Sequence, residues 1–166
     1  MKAAHVHAQT LIFALLSLLI AGSCQADTIQ DAMAARASGD YANAFNMFNQ
    51  LASAGDASAE FQLAMLYETG RGTKQDPRQA MHWLRMSAAH GNTQAQSNLG
   101  VAYSMGRGVT QDALRAYVWF AMSADAGNAA ATSNRDVITR KLTAQQFLEA
   151  KALLTECQSK GFQACL

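Results

Sequence analysis

A gapless recurrence at a period of 36 residues constrains this chain more than any other feature. Residues 57–92 and 93–128 align end to end, and 15 of the 36 positions are identical. Leu63, Tyr67, Gly70, Arg71, Gly72, Gln75, Asp76 and Ala80 return as Leu99, Tyr103, Gly106, Arg107, Gly108, Gln111, Asp112 and Ala116. Trp83, Ser87, Ala88, Gly91 and Asn92 return as Trp119, Ser123, Ala124, Gly127 and Asn128. A fixed period of this length is the signature of stacked helical units, none of which can bury its apolar face alone. With a single proline in 166 residues and half of the chain apolar, helix is favoured over strand.

Within each copy the pattern predicts two helices. The first spans residues 57–69 and 93–105, with Ala59, Leu63, Leu66 and Tyr67 forming one stripe. Gly70 and Gly72, like Gly106 and Gly108, stand one residue apart, where positive φ or close backbone approach excludes a Cβ. The second helix begins with Asp76 as cap and Pro77 in the first helical position, where its missing N–H costs nothing. Trp83 and Trp119 supply the largest apolar area of each copy and are read as packing residues, each worth about 3–5 kcal/mol. Asp56, Asn92 and Asn128 each follow a glycine, so one pair of residues ends a helix and caps the next three times over.

Flanking segments extend the pattern. Residues 27–56 form a degenerate first repeat: a helix at 28–38 stopped by Gly39, then Asp40 capping a helix at 41–54. After residue 128 the recurrence decays, Arg135 and Thr139 standing where Leu and Tyr recur. Thr143 and Gln146 form a capping box that opens a helix with Phe147, Ala150, Leu153 and Leu154 inward. Residues 129–166 are therefore read as the closing cap that a solenoid needs.

Residues 1–26 have the order of a secretory signal peptide: Lys2 without an acid, an apolar run at 11–20, then small residues. That run is short for a membrane span, which needs about 20 residues. Cleavage after Ala26 fits best; lipid attachment at Cys24 is the rival, and retention as an anchor a third reading. Export implies a periplasmic or secreted location and an oxidising environment, in which Cys157 and Cys165 could bridge; two free thiols in a frayed tail are the alternative.

From residue 27 onward, twelve basic residues balance twelve acidic ones, so no electrostatic footprint for nucleic acid or anionic membrane exists. His82 and His90 lie eight apart on one helix, without the HExxH spacing of a zinc site. Neither a phosphate-binding glycine loop nor a GxSxG elbow is present, and no carboxylate pair falls in an apolar setting. No cofactor, metal or catalytic residue is expected, and the chain is read as a monomeric non-enzyme.

The residues Leu63, Ala64, Tyr67, Gly70, Gly72, Ala80, Trp83, Ala88, Gly91 and Asn92, with the closer second copy through Gly100 and Val109, resemble the Sel-one-like repeat subclass of tetratricopeptide proteins. Ala64 and Thr73 depart from the usual Gly and Val. The resemblance implies a right-handed α/α superhelical solenoid of helix hairpins that serves as an adaptor for protein partners, often exported in bacteria. It also implies that the first helices line a concave groove. Positions that differ between copies could then carry specificity, which makes Met65, Glu68, Val101, Ser104 and Met105 the candidate residues for a peptide or protein partner. Glu60 and Phe61 differ as well, although an aromatic at position 61 commonly packs in such proteins. An unconstrained surface is the plain alternative for all of these positions, and a cell-wall or β-lactam-type hydrolase is the alternative function.

Overall fold

The computed structural model describes residues 28–165; the predicted signal segment, its cleavage before Asp27 and Cys24 lie outside the described residues. Eight helices follow one another without an intervening strand: α1 (Ile29–Ala37), α2 (Tyr41–Ser53), α3 (Ala57–Thr69), α4 (Pro77–Ala89), α5 (Thr93–Met105), α6 (Ala113–Asp125), α7 (Ala129–Thr139) and α8 (Ala144–Lys160). A short 3-10 turn, Phe162–Cys165, ends the described chain. Helices α1 to α7 pack mainly on their neighbours in sequence, whereas α8 lies on α6 rather than on α7. The result is an all-α solenoid of stacked hairpins.

Residues that recur in the sequence make the same bonds in both repeats. The buried Ser87 hydroxyl donates to the carbonyl of Ala57 at 2.6 Å, and Ser123 does the same to Thr93 at 2.7 Å. Each bond ties the end of one hairpin's second helix to the start of its first. Gln75 Nε2 donates to the carbonyl of Glu68, and Gln111 Nε2 to that of Ser104, both at 2.8 Å. The N–H groups of Asp76 and Asp112 donate to the carbonyls of Tyr67 and Tyr103. These polar side chains close the long loops onto helix ends whose last carbonyls otherwise lack partners.

The glycine-bounded turns adopt the expected left-handed conformation, with φ of +68° and +73° at Gly70 and Gly72 and +70° at both Gly106 and Gly108. The caps also fall where the sequence places them: the side chains of Asp56, Asn92 and Asn128 accept from the N–H groups of Ala59, Ala95 and Ala131. At Asp112, burial pushes the carboxyl up, but the backbone and side-chain bonds from Arg115 outweigh it and hold the group below its ordinary value.

Two apolar clusters form the core. The smaller joins Ala32, Ala44, Met47, Phe48, Leu63 and Leu66; the larger runs from α3 through α8 and includes Leu99, Trp119, Phe120, Ala150 and both bridged cysteines. Here the structure corrects the expectation that the tryptophans are equivalent. Trp119 is fully buried, with the Phe162 ring stacked 6.4 Å from it at an interplanar angle of 26°. Trp83 is half-buried, packs against both clusters, and meets the edge of His82 at 5.2 Å. The difference goes with the chain beyond α8, which returns to stack Phe162 on Trp119 and also touches α4, whereas the aromatic partner of Trp83 among the described residues is its own neighbour His82.

The departure at Ala64 has a packing reason. A Cβ at Gly100 would approach the Phe120 ring to 2.7 Å, and in the first repeat the same two positions hold Ala64 and Leu84. A larger residue on the first helix is matched by a smaller one on the second, so interior density is kept.

Gly161, at φ +86°, turns the chain after α8 so that Cys165 bonds to Cys157, with the two Cα atoms 5.6 Å apart and both residues buried. Phe162 thereby lies on Trp119 of α6 rather than only against the last helix. A loop of this length removes unfolded-state entropy worth about 2–3 kcal/mol by the chain-entropy model. Reduction should therefore lower the melting temperature while far-ultraviolet circular dichroism at low temperature stays nearly unchanged. Alkylation of the non-reduced protein followed by mass measurement should find no label on either cysteine.

Candidate interaction groove

On the face formed by α1, α3 and α5, the helices part between successive hairpins and leave open cells. One, with a volume of about 320 Å³, lies between α3 and α5. Met65 and Glu68 come from α3, Val101 and Asn98 from α5, and Met81 and Leu84 of α4 form its back. Arg107 and Gly108, from the loop after α5, close one edge. A neighbouring cell, lined by Arg36, Tyr41, Leu66, Thr69 and Arg71, shares Met65 with it. The two cells are repeat-related: Tyr41, Leu66 and Arg71 precede Pro77, Ala102 and Arg107 by 36 residues.

Three of the five candidate residues thus converge: Met65, Glu68 and Val101 line one cavity. Ser104 does not join them. Its hydroxyl donates to the carbonyl of Val101 at 2.9 Å, turning back onto its own helix. Met105 ends α5 with 60% of its surface exposed and stands outside the cavity. Phe61 lies apart as well, in a shallow depression with Ile29, Met33 and Gln94.

Glu60 is not a surface residue at all. It is 1% exposed, and His90 Nδ1 sits 2.9 Å from each of its carboxylate oxygens. The second repeat fills the same two positions with Gln96, which donates to the carbonyl of Ala88, and Ala126. One repeat therefore uses a carboxyl–imidazole pair where the next uses an amide. His90→Ala should destabilise by about 1–3 kcal/mol, because it leaves a buried carboxylate without its donor. Adding Glu60→Gln should recover most of that loss by reproducing the second repeat. Urea denaturation of the single and double variants is the measurement, and an additive double-variant loss would show that the pair is not coupled.

Missing from the sequence-based candidates are the two arginines and Met81. Arg71 and Arg107 are identical between copies, and identity reads as structural when specificity is sought in differences. The available signal was their place between two turn glycines, off the apolar stripe of either helix. Among the described residues no three His, Cys, Asp or Glu side chains converge to hold a metal ion. The main cavity's lining supplies one carboxylate, Glu68, and no Ser, Cys or His.

Residues 57–92 and 93–128 each match the family model of the Sel1 repeat. The chain carries two Sel1 repeats. Such repeats generally serve as protein-interaction modules. The structure of c5321, described as a protective antigen present in uropathogenic Escherichia coli strains and displaying an SLR fold, is similar over 82% of this chain, with 30% identity and a TM-score of 0.71. A Sel1 repeat protein from Oxalobacter formigenes is similar over 57% of the chain, with 32% identity and a TM-score of 0.52. The chain spans only 30% and 38% of those two proteins' lengths. No curated protein matches the sequence.

Proposed function

We propose that this chain is an exported, monomeric, non-enzymatic adaptor that holds a peptide or an extended protein segment in the groove along α3 and α5. The observation that carries this reading is the cavity lined by Met65, Glu68 and Val101, positions that change between Sel1 repeats while the framework around them does not. Two methionines, Met65 and Met81, give it an adaptable apolar wall. Export is supported by the leader-like residues 1–26 and by the bridged cysteines, since such bonds persist in oxidising compartments. None of the described helices is long and apolar enough to cross a membrane. The mature chain should begin at Asp27, which intact-mass measurement of the exported protein checks; a diacylglyceryl group on Cys24 would overturn that boundary.

A photo-crosslinking residue at Met65, compared with one at the exposed Gln145 of α8, tests the groove in periplasmic extract. A stoichiometric adduct at Met65 alone supports the reading. Met65→Lys should weaken that partner about tenfold or more. Because the half-buried Met65 packs on the larger cluster, Glu68→Ala at an exposed position of the same cavity is tested beside it. That variant should weaken the partner while changing stability by no more than about 0.5 kcal/mol. Met105→Lys, outside the cavity, should leave affinity unchanged. Equal crosslinking at both sites would move the interaction to another face.

A further inference from the structure

We propose that the groove's occupant is an acidic peptide, whose carboxylates are met by Arg107 and Arg71. This inference rests on the groove reading and adds to it the chemistry of the ligand.

Each arginine sits between two glycines of positive φ, and its backbone N–H donates to the helix before it: Arg71 to Leu66 at 3.2 Å and Arg107 to Ala102 at 2.9 Å. The turns are thus the same, and each delivers a guanidinium to the same edge of its cell. Their surroundings then diverge. Arg71 lies over the Tyr41 ring, 5.1 Å from its centroid, and donates to the Tyr41 hydroxyl at 3.1 Å. That contact uses one of five N–H donors. In the next cell the position of Tyr41 is taken by Pro77, which offers neither a ring nor a hydroxyl. The Arg107 side chain is exposed and makes no hydrogen bond or ion pair with any described residue.

Charge decides the sign of the ligand. The whole sequence is close to neutral, with 13 basic and 12 acidic residues. The two cells, however, hold three guanidinium groups, those of Arg36, Arg71 and Arg107, against the single carboxylate of Glu68. The acids that could have balanced them are engaged elsewhere. Asp40, Asp56, Asp76 and Asp112 cap helices, Glu60 pairs with His90, and Glu156 pairs with Lys160. A groove with surplus positive charge on a neutral chain favours an anionic occupant. A planar guanidinium matches a carboxylate through two parallel hydrogen bonds. Between the charged edges lie Met65, Met81 and Leu84, which suit apolar side chains rather than a sugar-phosphate backbone. The ring that could stack a base, Tyr41, is already covered by Arg71.

The test is to pan a random peptide library displayed on phage against the intact exported protein, then measure the enriched peptides by fluorescence anisotropy. The expected outcome is enrichment of Asp and Glu flanked by apolar residues, with affinity falling about tenfold in Arg107→Gln and again at raised salt. Arg107 is exposed, so that variant should keep the parent's melting curve. Enriched peptides that are neutral or basic, and that still require Met65, would overturn the acidic-peptide inference and leave the groove reading standing. Peptides indifferent to both Met65→Lys and Arg107→Gln, or no enrichment at all, would overturn both. An oligothymidine probe that binds as tightly as the peptides, with the same dependence on Arg107, would overturn the choice of a carboxylate.

Discussion

Replacing Trp119 by alanine should lower stability by about 3–5 kcal/mol, a large share of what a domain of this size has in hand. The ring is fully enclosed by α6's own neighbours and by Phe162, so truncation opens a cavity that the bridged tail cannot easily follow inward. Trp83→Ala should cost clearly less, because that ring already exposes part of its surface and bridges two clusters instead of filling one. Urea denaturation of the two variants beside the parent measures the difference. Equal losses would mean that Phe162 and the disulfide contribute nothing to burying Trp119, and the account of the tail would fail.

A second large effect is expected at Gly72. Both Gly72 and Gly108 have positive φ, so alanine at either meets a left-handed penalty of about 1–2 kcal/mol. Only at Gly72 would the new Cβ run into the backbone carbonyl of Tyr41. At Gly108 the nearest atom is the Cε of Met81 at 3.2 Å, the mobile end of a flexible side chain. Gly72→Ala should therefore be the worse of the pair by at least about 1 kcal/mol, the lower end of ordinary overpacking costs. It should also loosen Arg71 from Tyr41, which the tyrosine's near-ultraviolet dichroism can report. A Gly108→Ala variant as unstable as Gly72→Ala would show that conformation alone sets the cost.

These two pairs show what a sequence with internal repetition makes legible. Helix bounds, caps and turns could be read residue by residue, because local signals such as Gln75-Asp76 or Gly91-Asn92 act over a few positions and occur more than once. Repetition also misled. It presented Trp83 and Trp119 as equals, whereas burial depends on what lies beside each copy, and only one has the returning tail. The site was legible in part for a related reason. Variation between copies pointed to Met65, Glu68 and Val101, and it also pointed to Glu60, whose partner His90 is 30 residues away and visible only once the hairpin has closed. Arg71 and Arg107 escaped because identical residues can have unequal surroundings. Tyr41 and Pro77, not the arginines themselves, make one guanidinium engaged and the other free.

The repeated Gly-plus-cap junction has a consequence for how such a molecule can change in length. Gly55-Asp56, Gly91-Asn92 and Gly127-Asn128 end one hairpin and open the next with the same positive φ and the same side-chain bond to the third residue onward. A junction of this kind is a universal coupling: any hairpin carrying it can follow any other without new loop chemistry. Duplicating residues 93–128 in place would therefore insert one more unit between α6 and α7 while leaving the Trp119–Phe162 closure to form on the new last copy. The groove would gain one cell and one more arginine at its edge. Reach along a bound chain, and the number of carboxylates counted along it, would then be set by gene duplication rather than by redesign of any surface.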